Sequence, residues 1–354
     1  MDILGIGNAI LDIFSFSEEE HALPLGLHPN SSIHVEAGRL DELLLMLKNP
    51  VVVSGGSAAN ALKAASAMGL SCSFIGCTGT EDREEDRWSR LFTAELSSFR
   101  VETFLEGRNA PSGRCLVVRM PGGLRSIACA PGAAPTLKPE QIQADILSRA
   151  SLVLLDGQVL KNAAVTDRVS KLCHGFTIPL AVDIASPEIA RNRASAIEEL
   201  LERNECVLFM DDAEAFAFAR EFADRVPGSA ALDPERLMHA VFSHLTAHKR
   251  TFPYIVRKEG PMGASAWHAG TAVHRAGNAV ENPLDDTGAG DVFAGAFLAA
   301  FLRKKTLADS LDIANSAARA SLSVPGSRVD WEWFASLGEE LAPAAAPEET
   351  GVGE

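Results

Sequence analysis

Apolar runs of strand length recur along this chain and alternate with helical periodicity, and that alternation constrains the fold more than any single motif. The runs read "DILGIG", "VVVSGG", "SCSFIGC", "SLVLLDG", "IPLAVDIA", "CVLFMDD" and "YIVRKEG", several of them closing on Gly or Asp. Helical patterns at 57–68, 140–149, 161–174, 213–223 and 234–248 lie between them. Near-continuous apolar strands separated by helices predict an α/β fold with a mainly parallel sheet covered on both faces. In such sheets ligands sit at the carboxyl ends of the strands. Two segments break the rhythm, about 14–37 and 100–130, where "SSIHVE", "VETFLEG", "RCLVVRM" and "RSIACA" show polar alternation. They predict an antiparallel flap over the site. The Pro, Ala and Glu-rich end, residues 339–354, predicts a disordered tail, leaving 1–338 as the folded unit.

Composition removes several classes of function. With 354 residues and 47% apolar content the chain can bury a large core. Its formal net charge of -15 and lack of a Lys/Arg cluster argue against nucleic acid as a partner. Cys72, Cys77, Cys115, Cys129, Cys173 and Cys206 form no C-x-x-C pair and no zinc-finger spacing, so they read as reduced core thiols. The opening "MDILGIGNAILDIF" lacks a basic leader and carries Asp2 and Asp12, and reads as a buried strand. No run reaches membrane-span length. The expectation is a cytoplasmic protein without a membrane partner, monomeric or homodimeric.

Chemistry concentrates in three places. Residues 281–302, "ENPLDDTGAGDVFAGAFLAAFL", run from a glycine-rich, acidic turn into an apolar helix over Val292–Leu302. Gly288 and Gly290 are expected to take dihedrals closed to other residues, so that unpaired amides converge where the helix starts and attract an anion. Asp291 stands at that corner, as a helix cap or as a functional carboxylate. "VVVSGGSAANALKAASAMG" sends Gly55 and Gly56 into an alanine-rich helix carrying Asn60 in its first turn, either a tight turn or a place where a ligand touches backbone. "GIGNAILDI" starts like a dinucleotide fingerprint but has Ile10 at the third glycine position, which disfavours a dehydrogenase. Asp12 follows, suited to a vicinal diol or to capping a turn. No G-x-x-x-x-G-K-[ST] occurs, so phosphate chemistry here is not of P-loop type.

Together, "DDTGAGDVFAGAFLAAFL" and "SGGSAANALKAASAMG" resemble the two signatures of the PfkB (ribokinase-like) family of small-molecule kinases. "VRKEGPMGA", "DDAEAF" and "ANSAARASLSVPGSR" resemble its phosphate-approaching turn, its N-x-x-E motif and its adenine-flanking helix, and the likeness spans about 3–330. "GIGNAILDI", "GGSAAN" and "SGRCLVVRMPGGLRSIACAPGAA" look most like the adenosine-kinase-like branch. The resemblance implies a three-layer αβα sandwich with a small β-strand lid. It implies that Asp291 takes the proton from a primary hydroxyl while the amides of Gly288, Ala289 and Gly290 stabilise the migrating phosphoryl group.

By the same resemblance Asp12, Gly55, Gly56 and Asn60, with Asn8 nearby, hold the acceptor's hydroxyls. Lys258, Gly260, Gly263 and Asn315 meet ATP, although Lys258 also reads as a strand-end lysine and Asn315 as an ordinary helical polar residue. Glu214 organises water around Mg²⁺, with Asp211 in place of the family's Asn as a second metal candidate; Asp211-x-x-Glu214 is equally a capping box. Asp285 and Thr287 match positions whose carbonyls hold a monovalent cation, with use of K⁺ left open. The implied function is an ATP- and Mg²⁺-dependent kinase acting on a nucleoside, adenosine first, to give the 5′-monophosphate. A sugar kinase of the ribokinase or fructokinase type is the alternative, and a non-catalytic nucleoside or sugar sensor comes from a different class.

Overall fold

Branched and leucine-rich runs form the strands that are covered on both faces, and shorter or more polar runs form strands at the sheet edges. In chain order they are β1 (Ile3–Ile6), β2 (Ile10–Phe16), β3 (Ser31–His34), β4 (Val51–Gly55), β5 (Cys72–Glu81), β6 (Glu84–Glu85), β7 (Val101–Arg108) and β8 (Gly113–Arg119). There follow β9 (Arg125–Ala130), β10 (Leu152–Asp156), β11 (Leu180–Asp183), β12 (Cys206–Asp211), β13 (Tyr254–Lys258), β14 (Gly263–His268) and β15 (Thr271–Ala276). The computed structural model describes residues 1–228, 232–247, 251, 253–277, 279–281, 283–324 and 329–341.

Ten strands form the large sheet, in the order β15-β14-β13-β12-β11-β10-β1-β5-β6, with β7 also paired to β5. From β13 through β5 to β7 the pairing is parallel; β14, β15 and β6 are antiparallel. Successive residues feed opposite cores, as period two requires. Leu4, Ile6, Val153, Leu155, Leu180, Val182 and Leu208 enter one. Ile3, Leu152, Leu154, Ala181, Val207 and Phe209 enter the other. Helices cover both faces, giving three layers, α, β and α, as expected. On the second face helices Ser57–Ala67 and Ala289–Leu302 pack together, with Gly295 against the backbone of Ala61.

The second sheet has five strands in the order β3-β9-β8-β2-β4. One of its faces, including Leu11, Ile13, Leu116, Val118 and Ala128, shares a core with Leu40 and Leu43 of helix Ala37–Met46. Phe14, Val53 and Val117 cluster on the other, with Ile127 packed on them.

Several expectations change here. The smaller sheet is mixed rather than antiparallel: β2–β8 and β3–β9 run parallel, β2–β4 and β8–β9 antiparallel. "VETFLEG" belongs to the large sheet as β7, with Phe104 packed on one core, Leu105 on the other, and Glu102 and Glu106 exposed. "VVVSGG" forms the edge strand β4 of the smaller sheet. The opening apolar run is two strands, broken at Gly7-Asn8-Ala9, and Asp12 lies within β2 rather than at a strand end. Residues 140–149 yield only a 3₁₀ turn and the short helix Ala144–Leu147. Cys115 and Cys129, directly opposite on β8 and β9, form a disulfide instead of two reduced thiols, because cross-strand pairing brings them together; Cys72, Cys77, Cys173 and Cys206 are free and buried. Helix Trp331–Leu341 includes the first residues of the expected tail, and 342–354 lie outside the described residues, as do 325–328 of the adenine-flanking segment.

Candidate active site

The corner read from the glycine-rich turn forms where helix Ala289–Leu302 begins. Gly288 precedes the helix with φ of +77°, a conformation that favours glycine. Asp291 lies in the first turn but caps nothing. Its Oδ2 accepts a hydrogen bond of 2.8 Å from Nδ2 of Asn60, joining the two signature segments across 231 residues of sequence. Ala289 differs from expectation: its N–H donates to the Asp286 carbonyl at 3.2 Å and closes the turn. Among the described residues the amides of Gly288, Gly290 and Asp291 have no such partner. Gly290, by contrast, has no left-handed dihedral, and a Cβ there would make only ordinary van der Waals contact, 3.4 Å from the Lys258 ammonium.

Beside the corner lie the residues expected to meet the acceptor. Gly56 turns into its helix at φ +89°, and a Cβ would come within 2.4 Å of the Asn8 carbonyl oxygen. A Cβ on Gly55 would meet Oδ2 of Asp12 at 2.2 Å, so the carboxylate lies directly over that backbone. Burial pushes the Asp12 carboxyl up to about 7, against the pull of Lys63 and with further push from Asp291. Asn60 spends its amide N–H on Asp291, and its Oδ1 is buried without a partner among the described residues. Such an orphan acceptor awaits a donor. Asn8 donates its backbone N–H to Asp156 at 3.5 Å and lines a separate recess of about 480 Å³ with His34 and Gln158.

A cleft of about 570 Å³ brings Ala289, Gly290 and Asp291 together with Lys258, Gly260, Gly263, Asn315, Asp211 and Glu214. Asn315 Nδ2 donates to the Arg275 carbonyl at 3.3 Å. Asp211 and Glu214 form the reciprocal capping box of helix Asp212–Arg220: Glu214 N–H donates to Asp211 Oδ1 at 2.7 Å, and Asp211 N–H to Glu214 Oε2 at 2.9 Å. Burial pushes Glu214 up to about 8. Among the described residues no group of three or more His, Cys, Asp or Glu is placed to hold a metal. Two carboxylates beside a cleft roomy enough for a nucleotide suit a hydrated Mg²⁺ that arrives with one, not a protein-built cage. Asp285 and Thr287 stand outside the cleft, in a polar recess with Arg119 and Arg125. Asp285 Oδ1 accepts the Thr287 N–H at 3.1 Å, and Oδ2 lies 3.5 Å from Arg119.

Three supporting groups escaped sequence reasoning. Lys63 is fully buried, its ammonium donating to the Ser54 carbonyl at 2.8 Å and lying 3.4 Å from Glu95. Asp156 and Asp183 end β10 and β11 at the carboxyl edge of the sheet. The last two were visible as acids closing apolar runs, "LLDG" and "AVDIA"; Lys63, inside an alanine-rich helix, carried no signal.

A doubly covered parallel sheet, a second small sheet and an amide corner at the carboxyl edges define a ribokinase-like protein. A profile of the pfkB family carbohydrate kinase matches residues 29–333, and the chain belongs to that family. Kinases of this family are phosphotransferases acting on hydroxyl groups of sugars or nucleosides, with ATP the expected donor. Among curated relatives, guanosine-inosine kinase of Escherichia coli (strain K12) is 21% identical over 241 residues, 65% of this chain and only 56% of that protein. Adenosine kinase of Schizophyllum commune is 24% identical over 92% of this chain and 96% of its own. The fold is similar to that of adenosine kinase from Sinorhizobium meliloti, with a TM-score of 0.79 and 20% identity over 96% of this chain and 99% of that one. It is equally similar to a probable sugar kinase from Rhizobium etli, with a TM-score of 0.80 and 18% identity over 96% and 98%. No helix among the described residues is long and apolar enough to cross a membrane.

Proposed function

We propose that this protein transfers the γ-phosphoryl group of ATP to a primary hydroxyl of a nucleoside, adenosine first, giving the 5′-monophosphate. The observation that carries the reading is the Asn60–Asp291 hydrogen bond, which aims a carboxylate into a cleft beside unpartnered helix-start amides. Asp12 and the free Oδ1 of Asn60 accept the acceptor's secondary hydroxyls, which turns its primary hydroxyl toward Asp291. Asp291 takes the hydroxyl proton as the oxygen attacks. The amides of Gly288, Gly290 and Asp291 face the charge that develops on the phosphoryl oxygens, the kind of fixed, water-excluded stabilisation on which phosphoryl transfer chiefly depends. Glu214 and Asp211 would hold a Mg²⁺ ion through water, and the ion would supply further charge neutralisation when it binds with the nucleotide. Thr287 and Asp285 are the candidates for a monovalent cation through their carbonyls.

Likeness to adenosine kinase of Schizophyllum commune over most of both chains supports a nucleoside over a bare sugar; the buried apolar cluster of Phe14, Val53 and Val117, with Ile127, lies on the Asp12 face of the smaller sheet. Likeness to a ribokinase of Arabidopsis thaliana, 24% identical over 87% of this chain, keeps a sugar as the second acceptor class. ADP release measured with adenosine, inosine, ribose and fructose tests the reading. Stimulation should be strongest with adenosine. Stimulation by ribose or fructose alone would transfer the assignment to sugars, and saturable nucleoside binding with no ADP release would make the protein a sensor.

A further inference from the structure

Lys258 ends β13 opposite Asp211, and it does not reach for solvent as strand-end lysines do. Its ammonium donates to Oδ1 of Asp183 at 2.6 Å, the side chains being 14% and 4% exposed. The same ammonium stands 3.4 Å from the point where a Cβ on Gly290 would lie, directly against the unpartnered amide corner. The other carboxylate oxygen of Asp183 is buried and has no hydrogen-bond partner among the described residues. Among the described residues the other charged groups around this space are Asp211, Glu214, Asp286 and Asp291, and Arg319 on the helix that carries Asn315. An incoming polyphosphate therefore meets one fixed positive charge at the corner.

We propose that Asp183 is a positioning residue for phosphoryl transfer: it tethers the Lys258 ammonium against Gly290, where the migrating phosphoryl group gathers charge. A flexible four-carbon stem would otherwise sample many positions, and a preorganised charge stabilises a transition state more than one that must be recruited. The inference rests on the kinase reading and adds to it the means by which the cation is held.

The test compares binding of a non-hydrolysable ATP analogue and of ADP, each with Mg²⁺, by calorimetry, and runs kcat in parallel. Wild type should prefer the analogue, since only it places a γ-phosphate at the corner. Asp183→Ala and Lys258→Met should each reduce that preference, and kcat, by about tenfold or more, as expected for losing a charge-assisted contact. ADP affinity should stay within about twofold of wild type. Combining the two substitutions should cost no more than Lys258→Met alone, because the effects run through one ammonium. Asp183→Asn keeps an acceptor for Lys258 and should retain part of the preference; it also serves if the alanine variant, which strands a buried cation, does not fold. An undiminished preference in Asp183→Asn and Asp183→Ala, or effects that multiply in the double variant, would overturn the positioning role while leaving the kinase intact. Failure of wild type to bind either nucleotide would overturn the kinase reading and this proposal with it.

Discussion

Asp12 and Asn60 show how much the site depends on polar groups held away from water. Burial raises the Asp12 carboxyl to about 7, so the folded state binds its proton more tightly than the unfolded chain does. The sign follows directly. Stability falls as pH rises from the ordinary carboxylate range toward 7 and then levels off, because above that the charged form is held in a poorly solvating place. Asp12→Asn removes this contribution, so it should raise the urea midpoint relative to wild type at about pH 8 and leave it little changed at about pH 4. An equal gain at both pH values would show that Asp12 does not titrate as described. Asn60→Ala should cut turnover by roughly a hundredfold through a disoriented Asp291, with a rise in acceptor KM from the lost Oδ1; steady-state kinetics separate the two effects.

Helices Ser57–Ala67 and Ala289–Leu302 each deliver one half of the Asn60–Asp291 contact, and Gly295 sets how closely they approach. A Cβ at that position would stand 2.1 Å from the carbonyl oxygen of Ala61. Gly295→Ala ordinarily favours a helix by about 1 kcal/mol, but here it forces two backbones apart. The expected net result is a loss of about 1–3 kcal/mol in chemical unfolding, with reduced kcat as Asn60 and Asp291 separate. The apolar, uninterrupted character of both helices made them legible in the sequence, as did the acid-terminated runs that became β10, β11 and β12. Assignment of strands to sheets was not legible. Val51–Gly55 and Val101–Arg108 each exchanged their expected sheet, because alternation reports which faces are covered and says nothing of which neighbour supplies the hydrogen bonds. Gly7-Asn8-Ala9 hid a break inside one run because apolar residues continue on both sides of it.

At the scale of the whole molecule, the small sheet contributes Asp12 from β2 and Gly55 from β4, while the large one contributes Asp183, Asp211 and Lys258 from adjacent strand ends. Arg119 and Arg125, neighbours across β8 and β9, join the two parts: Arg119 hydrogen-bonds the Leu284 carbonyl, and Arg125 lies 2.8 Å from Asp286. Both contacts fall on the segment that leads into the Gly288 turn. Ordered signature segments made most of the cleft legible from sequence. Its tethering groups were not: Lys63, Asp183 and the disulfide partners owe their roles to contacts between distant segments, which residue type does not encode. Because both parts of the molecule build the site, the nucleoside and the ATP analogue should each raise Tm, and at about 100-fold excess over Kd each is worth about 2.7 kcal/mol.

The most direct test is made on Asp291→Asn, an isosteric change that keeps a partner for Asn60 and removes the carboxylate proposed to accept the hydroxyl proton. Turnover with ATP and the preferred acceptor, measured alongside acceptor affinity by calorimetry, should fall by roughly a hundredfold to ten-thousandfold while affinity changes only a few-fold. Turnover close to that of wild type, with the acceptor still bound, would contradict the claim that this carboxylate performs the chemistry.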